Sequence, residues 1–259
     1  MNSVIIIPIY KETPSQFDIT SLKQCFKILG HHEVIIIAPE SLEISPYENI
    51  VGKKLNIERF PNFFFKDISG YNSLMLEKTF YERFVEHEYM LIYQLDCYVF
   101  KDEFTFWCKQ GYDYIGSPWL DYQYYNLKKH QKAFFLIKRN FLSLFFPYTF
   151  DKTQLTNRVG NGGFSLRKIK PFIDSLIHHN PKEIQKFKDS NDSVALYNED
   201  VFWSFFAKNI KKPNYKKAIK FSIDNAVPIG VKLNNDEMPF GCHGWIRNFH
   251  FWKNYIQID

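Results

Sequence analysis

No apolar run in this 259-residue chain reaches the ~20 residues that a membrane-spanning helix needs. A basic leader is also missing. The N-terminal "MNSVIIIPIYKETP" has an apolar run too short for a secretory core and reads as a first buried strand. Closely spaced cysteines are absent too. The four stand at 25, 97, 108 and 242, which excludes a zinc knuckle or a redox dithiol and predicts free thiols in a reducing compartment. Neither a Gly-Lys-Ser/Thr phosphate loop nor the dinucleotide fingerprint occurs. The chain contains no internal repeat, low-complexity tract or linker able to separate independent units, so one domain over residues 1–259 is expected. Strong basicity is lacking as well. The net charge of +5 suits an acidic ligand or an anionic membrane surface and argues against nucleic acid as a partner. Together these exclusions predict a cytoplasmic protein.

The composition is that of a globular chain, with 45% hydrophobic and 24% charged residues. Aromatics reach 19%, an excess that fits a Phe-rich core, ring-stacking surfaces or a membrane-facing patch. In the first half strands and helices alternate. "VIIIPIY" (4–10), "EVIIIAP" (33–39), a short strand in "KKLNIERF" and "YMLIYQL" (89–95) read as strands. Residues 16–29 read as an amphipathic helix closed by Gly30, and 69–87 as a helix with Ser69 as its N-cap. Further helices are expected at 170–179 and 198–208, with a late strand near 218–224. The fold class expected is α/β, with a mainly parallel sheet flanked by helices.

Four stretches carry chemistry. In "YMLIYQLDCYVF" a strand with two buried faces ends on Asp96, at the lip where open α/β sheets bind ligands. Capping of the next turn is the structural alternative. In "VGNGGFSLRK", Gly160, Gly162 and Gly163 leave room for a sharp turn or a close ligand, and Asn161 offers an amide; a bulged strand entry is the alternative. In "NEDVFW", Glu199 and Asp200 sit where acids favour a helix start. Capping explains one of them and leaves the other free as a general base. In "FGCHGW", His243 lies on a loop with bare backbone on both sides, as a ligand or as a structural residue.

These pieces, together with "IPIYKE", "YNSLMLEKTFYERF" and "YDYIGSPW", resemble nucleotide-sugar glycosyltransferases of the GT-A fold, and a bacterial family of uncharacterised glycosyltransferase-like proteins in particular. The resemblance implies a GT-A-like domain with a nucleotide-binding half at 1–100, an acceptor-side half at 101–259 and an insertion at about 121–157. It implies a nucleotide diphosphate sugar as donor and a glycan hydroxyl as acceptor, on a bacterial surface polysaccharide or a lipid-linked glycan. Asp96 matches the first position of the fold's Asp-X-Asp motif, where the second falls on Tyr98, a departure from the pattern. His243 matches a late metal ligand, so Asp96 and His243 are the candidates for a divalent manganese or magnesium ion. Arg167, Lys168 and Arg247 are candidates to neutralise the leaving group without metal. Pro8, Tyr10 and Glu12, helped by Tyr71 and Asn72, are implied for the nucleotide, and Asn161, Gly162 and Gly163 for the donor sugar. In inverting members an acid of the Glu-Asp pair is the base, which points to Asp200 beside Glu199. The Tyr98 departure also admits a non-catalytic sugar-nucleotide binder or scaffold.

Residues 126–148 interleave Lys128, Lys129, Lys132, Lys138 and Arg139 with Phe and Leu and contain no acid. Such a helix either lies on an anionic membrane, as a peripheral contact on the inner face, or packs into the core with a solvated rim.

Overall fold

The computed structural model describes residues 2–145, 152–189 and 197–258. The first half runs through β1 (Ser3–Pro8), α1 (Gln16–Leu29), β2 (Glu33–Pro39), α2 (Ser45–Val51) and β3 (Asn56–Phe60). It continues with α3 (Ile68–Leu74), α4 (Lys78–Glu82), β4 (Tyr89–Tyr93) and β5 (Tyr98–Val99). Next come α5 (Phe104–Cys108), β6 (Tyr114–Pro118), α6 (Tyr122–Asn126) and α7 (Lys129–Phe145). The last third holds β7 (Val159–Lys168), α8 (Ile169–His178), α9 (Pro181–Lys188) and the single turn α10 (Glu199–Val201). It closes with α11 (Tyr215–Phe221), β8 (Ser222–Ile223), α12 (Val227–Leu233), β9 (Gly241–Cys242) and α13 (Phe249–Trp252).

The expected α/β architecture is present. A six-stranded sheet has the order β3-β2-β1-β4-β7-β6, with β3, β2, β1 and β4 parallel and β7 antiparallel to both its neighbours. The strands β1 and β4 are apolar on both faces because helices cover both sides of the sheet. On one face pack Leu22, Cys25 and Leu29 of α1, and on the other Phe80 and Tyr81 of α4. A small second sheet, β5-β9-β8, stands beside the C-terminal lip of β4. The four cysteines are free and buried.

Three local expectations differ. The helix expected over 69–87 is two helices, and Asp67 rather than Ser69 caps the first, its carboxylate accepting from Gly70 N at 2.7 Å. Leu74, Met75 and Leu76 are all buried, which a continuous helix turning ~100° per residue cannot achieve on one side. The helix expected over 198–208 is one α turn followed by a wider turn, Phe202–Phe206, closed by Ala207 N on Phe202 O at 2.9 Å. Residues 218–224 are mostly the end of α11, capped by Asn214, with only Ser222–Ile223 extended. Residues 146–151, at the end of the predicted basic-aromatic helix, and 190–196 lie outside the described residues.

Candidate active site

The parallel strands deliver Pro8 and Gln94–Asp96 to one lip of the sheet. Because β7 runs antiparallel to β4, it brings its N-terminal glycine segment to the same lip, where Gln94 N donates to Gly163 O at 3.0 Å. The second sheet adds two more groups. Asp224 follows β8 and His243 follows β9; His243 N donates to Ile223 O and Trp245 N to Asp96 O.

A cleft of about 580 Å³ is lined by Tyr10, Tyr71, Asn72, Gln94, Asp96, Asn161, Gly162, Gly163, Asn198, Glu199, Asp200, His243 and Arg247, among others. A smaller recess of about 240 Å³ at the end of β1 is lined by Pro8, Tyr10, Lys11, Tyr47 and Asp96. Of the nucleotide, sugar, metal and base candidates expected from sequence, only Glu12 lines neither; it is exposed on the loop after β1. A third cleft of about 760 Å³ is lined by Trp119, Asp121, Tyr122, Gln123, Thr156 and Asn225. It shares Asn161, Asn198, Asp200 and Arg247 with the first. Asp200 therefore stands where two clefts meet.

His243 is clamped between carboxylates. Its Nε2 lies 3.3 Å from Asp96 Oδ1 and its Nδ1 lies 3.0 Å from Asp224 Oδ1. Burial lowers the imidazole pKa, but Asp96 and Asp224 outweigh it and raise it to about 10. Burial likewise raises the Asp96 pKa, yet His243 and Arg247 leave it below the ordinary carboxylate range. Asp224 also accepts from Arg247 Nη2 at 2.7 Å and from Asn161 Nδ2 at 3.3 Å. Gly244, at φ +59°, makes the turn over which the Arg247 guanidinium folds, and a Cβ there would collide with it.

The donors fit a divalent ion. Asp96 Oδ1, Gln94 Oε1 and His243 Nε2 face one another, with both oxygens 3.3 Å from the imidazole nitrogen. Asp224 on Nδ1 orients the ring with Nε2 toward the cleft, the usual outer-shell arrangement of a ligating histidine. Oxygen and imidazole donors suit manganese or magnesium, with water or phosphate oxygens completing the shell and binding displacing the imidazolium proton. The Cys97 thiol is buried against Gly163 O, and burial raises its pKa far up, so it is a poor ligand here. Tyr98 turns away to pack on Phe100 and Trp245. Gln94 and Asp96, rather than Asp96 and Tyr98, are thus the pair that faces the cleft.

The Glu-Asp pair divides its work. Glu199 is buried and its Oε1 accepts from Arg167 Nη2 at 2.9 Å. Its Oε2 has no hydrogen-bond partner among the described residues. Burial raises the Glu199 pKa against the pull of Arg167. Asn72 fixes the segment, accepting from Glu199 N and donating to Asn198 Oδ1. Asp200 has its pKa raised to about 7, first by burial and then by the charge of Glu199. Of the three cations considered for a leaving group, Arg167 is fully buried on Glu199 and Lys168 pairs with Glu88 at the far end of β7. Arg247 alone of the three lines the cleft.

Sequence reasoning missed Gln94 and Asp224. Asp224 carried the same signal as Asp96, an acid ending a short strand, and Gln94 lay inside a run read as buried.

Solved structures share this fold. The galactosyltransferase LgtC in complex with donor and acceptor sugar analogues is 12% identical, with 93% of this chain and 86% of that chain covered, at a TM-score of 0.52. The glycosyltransferase GlyE of Streptococcus pneumoniae TIGR4 is 10% identical, with 99% and 60% covered, at 0.54. Mouse xyloside xylosyltransferase 1, in its apo form, is 10% identical, with 93% and 96% covered, at 0.52. At these identities the likeness is one of fold, and that fold is the GT-A type of glycosyltransferases. The chain spans 60% of the length of GlyE. No curated protein sequence matches it. A family model described as protein of unknown function (DUF5672) matches residues 54–243.

Proposed function

The chain belongs to the DUF5672 family, and from that premise and the GT-A fold we propose that it is a glycosyltransferase. It moves a sugar from a nucleotide diphosphate sugar to a hydroxyl of a glycan, on a bacterial surface polysaccharide or a lipid-linked carrier. The observation that carries this reading is the position of Asp200 at the junction of two clefts, one lined by Asp96, His243 and Arg247 and the other by Trp119 and Tyr122.

Donor and acceptor meet at that junction. Residues 1–100 form the nucleotide-binding half, with the base in the recess of Pro8, Tyr10 and Tyr47, and residues 101–259 form the acceptor side of the same domain. The diphosphate lies over Asp96, His243 and Arg247. A manganese or magnesium ion held by Asp96, Gln94 and His243 would neutralise developing phosphate charge. Arg247 adds a fixed cation beside it. The sugar rests on Asn161, Gly162 and Gly163, with Glu199 buried behind them on Arg167. The acceptor hydroxyl enters from the second cleft and gives its proton to the Asp200 carboxylate. A bond forms from acceptor oxygen to anomeric carbon, the bond to phosphate oxygen breaks, and the nucleoside diphosphate leaves. Attack opposite the leaving group inverts the anomeric centre.

The test is a thermal-shift screen over nucleoside diphosphates and nucleotide sugars, with and without manganese, followed by turnover of the best binder. A ligand selective for the folded state raises the melting temperature by mass action. The expected result is stabilisation by one diphosphate series, with the sugar released or transferred and Asp96→Ala abolishing both. Stabilisation without any turnover would indicate the non-catalytic binder instead, and no stabilisation would remove the nucleotide-sugar reading.

A further inference from the structure

The helix α7 turns its apolar side outward. None of its residues is buried, and Phe134, Ile137, Phe141, Leu144 and Phe145 are 54 to 73% exposed. Their spacing puts all five on one stripe of a helix. The polar side faces the body and is pinned there. Lys132 Nζ donates to Tyr125 O at 2.8 Å, Arg139 Nη1 to Thr156 O at 2.6 Å, and Arg158 Nη2 to Ser143 Oγ at 3.1 Å. This orientation contradicts the core-helix alternative admitted by sequence. It also removes Lys132 and Arg139 from the set of free cations, leaving Lys128, Lys129 and Lys138 exposed beside the stripe. No acid occurs between Asp121 and Asp151.

We propose that α7 is a docking helix for an anionic lipid bilayer, lying in the plane of the headgroups with its aromatic stripe inserted. Charge decides between occupants. A second copy of the chain packed on the same face would bring two lysine-bearing helices together with no carboxylate on either. Phosphate-bearing headgroups supply the missing negative charge. The helix is also tied to elements of the acceptor cleft, near its start through Lys132 to Tyr125 of α6, whose Tyr122 and Gln123 line that cleft, and at its middle through Arg139 to Thr156. Docking therefore sets that cleft at headgroup level. Resting on the transferase reading, the acceptor is then a glycan whose carrier is anchored in the same bilayer.

Co-sedimentation of the full chain with vesicles tests the docking without any sugar chemistry. Phosphatidylcholine alone is compared with phosphatidylcholine mixed with phosphatidylglycerol, at low and high salt. The wild type should pellet with the anionic vesicles and be partly released by salt. A Phe134→Ser/Ile137→Ser/Phe141→Ser variant should lose at least tenfold in partitioning, and a Lys128→Gln/Lys129→Gln/Lys138→Gln variant should lose its preference for anionic lipid. These side chains are exposed, so circular dichroism should show both variants folded. Wild type left in the supernatant, or equal pelleting of the apolar variant, overturns the proposal. A dimer by light scattering that the apolar variant abolishes, with no pelleting, overturns it in favour of a second copy. Transfer to a glycolipid extract should fall when its lipid is cleaved off; equal transfer would refute the bilayer-borne acceptor. Pelleting without any turnover would leave the docking intact and refute the transferase.

Discussion

Asp96 and Asp200 are carboxylates in one cleft whose neighbours drive them apart. For Asp96, the cations His243 and Arg247 outweigh burial and hold it ionised; for Asp200, burial and Glu199 raise the pKa to about 7. Such divergence is how one site obtains a fixed anion and a proton acceptor at neutral pH. Asp200→Asn should lower kcat by ~10²–10⁴-fold with nucleotide affinity unchanged, whereas Glu199→Gln should cost less. A dead Glu199→Gln beside a working Asp200→Asn would reverse the roles. In the wild type kcat should rise as pH passes about 7 and Asp200 ionises. Stability should run the other way. Folding raises this carboxyl pKa, so between the ordinary carboxylate range and about 7 the folded chain keeps a proton that the unfolded chain has released. The contribution is fully present in acid and lost as pH rises through that window. Asp200→Asn should therefore gain melting temperature relative to wild type on moving from acid to above neutral pH. Arg167 gives a second residue-scale expectation. Arg167→Met leaves Glu199 buried and unpaired and should cost about 3–5 kcal/mol in urea unfolding. Replacing Glu199 by Gln in that background should recover some of the loss, and no recovery would show that Arg167 stabilises instead through the hydrogen bonds it donates to Tyr81 Oη at 2.9 Å and Ser165 Oγ at 3.1 Å. Asp96 and His243 were legible as single residues because each had an odd local setting. The Asp224 clamp was not, since its partner lies nineteen positions away on another strand.

At the scale of elements, β7 organises the site, and its glycines have steric reasons. A Cβ on Gly163 would overlap the His243 imidazole and Gln94 Oε1, and one on Gly162 would overlap Glu199 Oε1. Gly163→Ala should therefore push His243 off its position. The expectation is a loss of donor binding by calorimetry and a stability cost of about 1–3 kcal/mol. A Gly163→Ala protein with wild-type affinity and turnover would show that His243 has no fixed role. The strands were the most legible elements, because β1, β2 and β4 are uninterrupted apolar runs whose covering helices leave no other reading. Helices were read less well where tertiary packing overrides periodicity. Burial of Leu74, Met75 and Leu76 in succession breaks one helix, and burial of Phe202 with Trp203 widens another. For α7 the pattern was plain in the sequence but its direction was not, since an amphipathic stripe does not say which side meets the protein.

For the molecule as a whole, the α/β order was readable from alternating periods, while the assembly of the site from two sheets was not. Only pairing brings β9 and β8 beside β5, and β5 and β9 lie more than a hundred positions apart. The fold has one consequence for its sulfur. Burial raises the thiol of Cys108 to about 12 and lifts those of Cys25, Cys97 and Cys242 well above the ordinary thiol range, so almost no thiolate exists at neutral pH. Alkylation of the native protein should be slow at all four and should accelerate together under denaturant; fast modification of one in the native state would mark a local opening there. Cys242 belongs to the small sheet that carries His243, whereas Cys25 and Cys108, on helices, and Cys97, in the turn before β5, pack in the core of the first sheet. Mass spectrometry of the order in which they are labelled would thus time the loosening of the second sheet against that of the first, with no added probe. An oxidant, for the same reason, finds among the described residues no sulfur at the folded surface but that of the half-buried Met238.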